Sequence, residues 1–320
     1  MLSRVADSLY WMGRYLERAE HSARLLDLNL NLTLELSSEG AKSHWRRLLS
    51  GLRVPPPRNG ALRPDDLTKY LTFDSANSAS IVSTITSARE NARQVREQIS
   101  SEMWEQINRL YLQVRQGSIE SIWHAQPHEF FRAVKNGAHL IQGIADSTLS
   151  HDDGWHFIQV GRFIERAGAT ALLLDVHFND TESMVEAAVS GHEYLHWVSL
   201  LKSCHAFEAY CQFYTADLRL ERIIEFLLLN SEFPRSIRFA VDVVERSLRA
   251  IAGANGRSKN GRAERLSGKL RATLDYSQVD EVISDNLHAY LESIQRQCSL
   301  IHTAMHQAYI AYAVESALGT

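Results

Sequence analysis

Residues 12–29, MGRYLERAEHSARLLDLN, return at 160–177 as VGRFIERAGATALLLDVH, and nine aligned positions are identical: Gly, Arg, Glu, Arg, Ala, Ala, Leu, Leu and Asp. Unrelated sequences match at roughly one position in such a window, so the pairing points to an internal duplication. A second pair, LTFDSANSASI from Leu71 and LLLNSEFPRSI from Leu227, shares Leu, Ser, Ser and Ile at one constant offset. Together they predict two related halves, 1–149 and 150–320, in pseudo-symmetric arrangement within one compact unit.

Both copies read as helix. Around the first, Val5, Leu9, Met12, Leu16, Ala19, Ala23, Leu26 and Leu30 step by four and three, which keeps them on one face. The same spacing through Val279, Val282, Ile283, Leu287, Leu291, Ile294, Cys298 and Ile301 predicts a closing helix of the same kind. Alternating β-branched runs are nearly absent and only 6 prolines punctuate the chain, so the expected fold is all-α, a helical bundle. Three stretches break the rhythm and read as loops. They are VPPPRNGALRPDD from Val54, the polar joint Ser150–Gly154 with Asp153 as a candidate helix cap, and GANGRSKNGRAERLSGK from Gly253.

At 320 residues, with 45% hydrophobic and 22% charged, the chain has the composition of an ordinary globular protein with a large core. A formal net charge of −4 gives no general attraction to nucleic acid or an anionic membrane, so neither is expected as a partner. Arg4, Asp7, Arg14 and Glu17 interrupt the N-terminal apolar residues, which excludes a signal peptide or a spanning helix there. Cys204, Cys211 and Cys298 include no Cys-x-x-Cys pair, and a reduced, cytoplasmic protein is the expectation.

The polar face of the repeat is the first candidate site. At about 100° per residue, Arg14, Glu17, Arg18 and His21 fall opposite the apolar stripe. A solvated face tolerates any polar residue, yet Arg14, Glu17 and Arg18 are reused as Arg162, Glu165 and Arg166. That reuse predicts a buried polar network or a site, since charges are buried only when paired or functional. Glu17 and Glu165, held ionised by arginine neighbours, are the candidate general acid/base groups. Gly13 and Gly161 cost about 1 kcal/mol each against alanine in a helix, which points to close helix contact or to backbone access by a ligand.

Three further constellations bear on function. Arg89, Arg93 and Arg96 lie on adjacent turns with Glu90, Asn91 and Glu97 interleaved, a spacing suited to carboxylate or phosphate, or to bracing neighbouring helices. Phe233-Pro234-Arg235-Ser236 reads as a helix opening whose free N–H groups attract anions, adding Arg235 and Ser236 to the candidates. His192-Glu193-Tyr194-Leu195-His196 matches the zinc motif His-Glu-x-x-His, with His205 or Glu208 as a third ligand and Ser199 where the extended motif has glycine. A zinc peptidase and a non-catalytic helical scaffold are therefore the alternatives to an anion-binding role. Glycine-rich nucleotide loops and nucleophile elbows are missing, and no cofactor is expected.

The opening MLSRVADSLYWMGRYLERAEHSARLLD, then SARENARQVREQISSEMWEQIN, GRFIERA and EFLLLNSEFPRSI, resemble the bacterial alpha-E family in that order over nearly the full chain. The resemblance implies an all-helical protein whose gene neighbours one for a circularly permuted ATP-grasp enzyme, often with a transglutaminase-like peptidase and sometimes a proteasome-like hydrolase. It implies a component of an ATP-dependent amide-bond synthesis or modification system, with that ATP-grasp protein as partner. The family's recurrent polar positions fall on Arg14, Glu17, Arg18, Arg89, Glu90, Asn91, Arg93, Trp104, Arg162, Glu165, Arg166, Pro234, Arg235 and Ser236. The His-Glu-x-x-His match lies outside that pattern.

Overall fold

Leu9, Met12, Leu16, Ala19, Ala23, Leu26 and Leu30 are all buried on α1, Ser3–Thr33, as their spacing requires. The structure is a computed structural model that describes residues 2–33, 38–57, 63–119, 127–179, 193–215, 217–254 and 261–311. Among these, every regular element is a helix. After α1 come α2 (Ser38–Gly51), α3 (Pro64–Thr72), α4 (Ile81–Gln94), α5 (Ser101–Gln116), α6 (Pro127–Thr148) and α7 (Asp153–Asn179). Then follow α8 (Glu193–Ser203), α9 (Phe207–Tyr214), α10 (Leu220–Leu229), α11 (Ile237–Ala254), α12 (Arg262–Tyr276) and α13 (Val279–His306). No described helix is long and apolar enough to cross a membrane.

Two compact units divide the chain, residues 1–162 and 163–320, so the division falls inside α7. In the first unit α1 packs on α4, α4 on α5, α5 on α6, and α6 back on α1, which closes a four-helix ring, while α2 and α3 lie against α1. The ring is filled at helical spacing by Ile85, Ala88 and Ala92 of α4, Met103, Ile107, Leu110 and Val114 of α5, and Phe131, Val134, Ala138, Ile141 and Ala145 of α6.

The first turns of α7 belong to this unit and cross α1 with backbone touching backbone. A Cβ on Gly13 would sit 2.5 Å from the carbonyl oxygen of Ile158, and one on Gly161 2.1 Å from that of Tyr10. The contact is reciprocal, because Tyr10 and Ile158 hold the same place in the repeat, three residues before each glycine. Only glycine permits that approach at both positions.

In the second unit α10 keeps Glu221, Arg222 and Glu225 on one face and packs the rest on α11, α12 and α13, burying Ile223, Ile224, Phe226, Leu227 and Leu228. Helix α12 lies between α11 and α13. The later turns of α7 reach the start of α11, with the Phe163 and Phe239 rings 5.9 Å apart.

Local structure corrects several expectations. The joint is capped by Asp152 rather than Asp153: its Oδ1 accepts from the amide N–H of Gly154 at 2.9 Å, and Asp153 already lies in the first turn of α7. The expected loop from Gly253 is helix from Arg262 onward, because Ala263, Ser267, Leu270 and Leu274 form a buried stripe; residues 255–260 lie outside the described residues. The closing helix breaks at Asn286 (φ −175°, ψ 97°), whose Oδ1 then accepts from the Ala289 N–H at 2.9 Å and restarts the helix as a cap.

The second repeated pair folds alike in its two places. Asp74 Oδ1 accepts from the Ala76 N–H and Asn230 Oδ1 from the Glu232 N–H, both at 2.8 Å. Ser80 caps α4 by accepting from Ser83, and Ser236 caps α11 by accepting from Phe239. Pro234 therefore sits in the turn before α11, not in its first helical turn as the sequence predicts, because the serine two residues later takes the capping place.

Candidate functional site

Arginine and aromatic side chains alternate along the outer face of α4 and α5. On α5, Trp104, Asn108, Tyr111 and Arg115 recur at spacings of four, three and four, which aligns them on one stripe. Arg89 of α4 reaches across: its Nε donates to Asn108 Oδ1 at 2.8 Å, and its guanidinium lies 4.6 Å from the Tyr111 ring centre and 5.8 Å from that of Trp104. Arg96, in a short 3₁₀ turn, lies 5.7 Å over Trp104, and Arg115 lies 5.7 Å over Tyr111 and donates to its hydroxyl at 2.9 Å. The order Arg96, Trp104, Arg89, Tyr111, Arg115 is a ladder in which each ring is flanked by guanidinium groups.

Glu90 is the acidic member. It accepts from Arg89 at 2.7 Å and from Arg93 at 2.9 Å. The hydrogen bond from Arg93, with the charges of Arg93 and Arg89 added, holds its carboxyl below the ordinary value of 4.5. Arg93 is 61% exposed, so it offers donors outward as well. Asn91 is not part of the ladder; its amide donates to the Ser87 carbonyl one turn back. Sequence reasoning found Arg89, Glu90, Arg93 and Trp104 and missed Asn108, Tyr111 and Arg115. The seven-residue step from Trp104 to Tyr111 was the available signal.

The repeat clusters are placed differently. Glu17 is 2% exposed, with Arg162 Nε at 3.8 Å and Gln142 Nε2 donating at 3.4 Å. Glu20 and Arg24, which sequence reasoning passed over, form a buried pair one turn apart, with Arg24 Nε donating at 3.1 Å and Nη2 at 3.0 Å from His21 Nδ1. Arg14 packs over Trp11, 4.9 Å to the ring centre, and Arg18 over Tyr15, 5.8 Å. Glu165 is partly exposed.

Arg166 is 4% exposed and donates to the Pro234 carbonyl at 3.1 Å, while Thr170 donates to the Arg235 carbonyl at 3.3 Å. The turn thus presents carbonyl oxygens to Arg166 and Thr170, opposite in polarity to an anion-binding helix start. The Ser236 hydroxyl, fully buried, accepts from Phe239 and donates to the Asn230 carbonyl, so both its roles are filled inside the fold. Where α4 carries Arg89, α11 carries Glu245, ringed by Arg249 and Arg271; the basic ladder has no like-charged counterpart there.

Of the zinc motif, His192 lies outside the described residues. His196 packs against the rings of His177 (5.4 Å) and Trp197 (4.8 Å). Among the described residues it joins no group of three convergent His, Cys, Asp or Glu ligands.

A family named Alpha-E, described as a predicted alpha-helical domain with a conserved ER motif, matches residues 1–310. Glu17-Arg18 and Glu165-Arg166 are such pairs inside the repeat, and others stand at 221–222, 245–246 and 264–265. The chain is similar to the uncharacterized proteins Mb2597 of Mycobacterium bovis and MT2643 and Rv2567 of Mycobacterium tuberculosis. Each is 24% identical over 316 residues, covering 91% of this chain and 34% of the relative. It thus spans about a third of their length. No solved structure matches. The all-helical architecture and a match over residues 1–310 together show that the chain belongs to the Alpha-E family.

Proposed function

We propose that the protein is a binding component of an ATP-dependent amide-forming system, and that the α4–α5 ladder docks an acidic surface of the circularly permuted ATP-grasp partner. The observation that carries this reading is the ladder itself. Arg89, Arg96 and Arg115 on the rings, with Arg93 beside them, outnumber Glu90 and the exposed Glu97 and leave a net positive, partly exposed stripe, and stacking on Trp104 and Tyr111 holds the three ladder guanidinium groups in place. Arginine held this way presents paired donors to carboxylates with little further loss of side-chain freedom. An exposed stripe of side chains suits a macromolecular surface better than a small free anion, which a cleft would enclose. The ATP-grasp identity rests on the family resemblance, and a transglutaminase-like peptidase is the second partner it implies.

The ladder favours docking over catalysis by Glu17 and Glu165. Glu17 at 2% exposure reaches no substrate without opening of the bundle, and its neighbours Arg162 and Gln142 make it a bracing group. We infer further that two duplicated, pseudo-symmetric halves underlie the chain. The reciprocal Gly13/Gly161 contact and the matching capped turns at Asp74–Ser80 and Asn230–Ser236 support that origin.

The test is co-purification of the full chain with a circularly permuted ATP-grasp protein of the kind the family resemblance implies. The Arg93→Glu/Arg96→Glu double variant should bind at least about tenfold more weakly, with the wild-type complex weakening as salt rises. Unchanged binding by a variant of normal helical circular dichroism would remove the ladder from the account.

A further inference from the structure

Each repeated helix segment runs on to the same two residues, Asp27 and Asn31 in α1 and Asp175 and Asn179 in α7. Each aspartate meets a histidine from another helix. Asp27 Oδ1 stands 2.6 Å from His128 Nδ1, and Asp175 Oδ1 stands 2.6 Å from His288 Nδ1. His128 is the second residue of α6, and His288 comes two residues after the break at Asn286 where α13 restarts. One constellation is thus built twice, once inside each unit.

The copies differ in their cation. In the first unit the Lys135 ammonium lies 2.6 Å from Asp27 Oδ2. Asn31 stands back, its Nδ2 3.5 Å from the His128 ring nitrogen and donating to the Asp27 carbonyl of its own helix at 3.1 Å. In the second unit the residue seven places after the histidine is the uncharged Gln295. There the Asn179 amide closes to 2.6 Å from both Asp175 Oδ1 and His288 Nδ1.

Three polar atoms, each 2.6 Å from the other two, are crowded more closely than hydrogen bonds to a shared acceptor ordinarily allow. With neutral His288 accepting at Nδ1, the amide serves both partners, but the Nδ1 and Oδ1 lone pairs face each other. With Nδ1 protonated, it and the Asn179 amide both donate to Asp175, and two N–H groups collide. Turning the amide over sets its oxygen against the carboxylate oxygen. A cation above the triangle removes the conflict in one arrangement: amide oxygen, carboxylate oxygen and the imidazole lone pair all directed at it.

We propose that Asp175, Asn179 and His288 hold a divalent metal ion, and that Lys135 supplies the equivalent positive charge permanently in the other copy. Bonds of about 2.1 Å set adjacent ligand atoms roughly 3 Å apart around an octahedral ion and roughly 3.4 Å apart around a tetrahedral one, so the three donors need to spread by about 0.4 to 0.8 Å. One imidazole and two oxygens form a donor set for Zn²⁺ or Mn²⁺. Glu292, one turn beyond His288 on α13, adds negative charge to the same locality. His288 is 52% exposed, so the ion keeps open positions for water or a carboxylate ligand.

The experiment is titration of Zn²⁺ or Mn²⁺ chloride into the metal-stripped full chain, followed by calorimetry and, for Mn²⁺, by broadening of histidine ring resonances. One ion should bind per chain, and Mn²⁺ should broaden the His288 signals before those of His128. Asp175→Ala, the near-isosteric Asp175→Asn and His288→Ala should each weaken binding at least about tenfold. Asp27→Ala and His196→Ala should leave it unchanged. The proposal fails if no saturable binding occurs, if binding survives both Asp175→Asn and His288→Ala with helicity intact, or if His196→Ala alone abolishes it.

Discussion

Gly13 and Gly161 show how much a single missing side chain decides. Each stands where the carbonyl oxygen of the crossing helix occupies the space of a Cβ. Alanine at either position must push two backbones apart, and the crossing has no flexible side chain to give way. Gly13→Ala and Gly161→Ala should each lower unfolding free energy by about 1–3 kcal/mol in denaturant titrations. A loss within the scatter of ordinary surface substitutions would mean that the crossing is looser than drawn. These glycines were legible in part, because glycine inside a strongly periodic helix carries a cost that close helix contact or ligand access to the backbone would explain, and the crossing decides between the two. The fate of Arg14, Glu17 and Arg18 was legible only in part. Reuse marked them as more than a solvated face, but spacing along one helix cannot tell which neighbour receives each charge. Glu20 and Arg24 escaped notice because one copy of the repeat has glycine and leucine, Gly168 and Leu172, in their places.

Among the elements, α4 and α13 carry the clearest consequences. The Glu90 carboxyl of α4, between Arg89 and Arg93, has a folded-state pKa below its ordinary 4.5, a depressed value, so its contribution is present above that pH and is lost as pH falls through the folded value. Acid titrations of wild type and Glu90→Gln should therefore diverge above about pH 4.5 and converge below it; a gap that persists at the acid end would contradict the assignment. In α13 the apolar rhythm runs unbroken across Asn286, which is why the sequence reads as one helix. The break follows from the asparagine side chain competing for the backbone of the next turn. Asn286→Ala should remove that cap at about 1 kcal/mol, read from the thermal midpoint. A rise in stability would show that the sequence prefers the continuous helix. The aromatic cluster beside α10 offers an internal check on burial: the Tyr214 hydroxyl, pushed up to about 12 by burial and its hydrogen bond to Glu225, stays protonated in mild alkali.

For the whole molecule, helix class and the repeat were readable because a period of 3.6 survives substitution, whereas loops, caps and side-chain partners depend on contacts between segments far apart in sequence. The proposed role belongs to this scale as well. A chain that spans about a third of its mycobacterial relatives behaves, in this account, as a helical module whose basic outer stripe meets an acidic partner, while its buried Arg/Glu pairs hold the bundle. The most direct measurement is the affinity of the full chain for a circularly permuted ATP-grasp protein, the partner proposed above, compared between wild type, Arg93→Glu/Arg96→Glu on the ladder and Arg246→Glu on α11 of the other unit. The account predicts a complex that the ladder variant loses at least about tenfold and the α11 variant retains. Equal binding by all three, or no complex for the wild type, would contradict it.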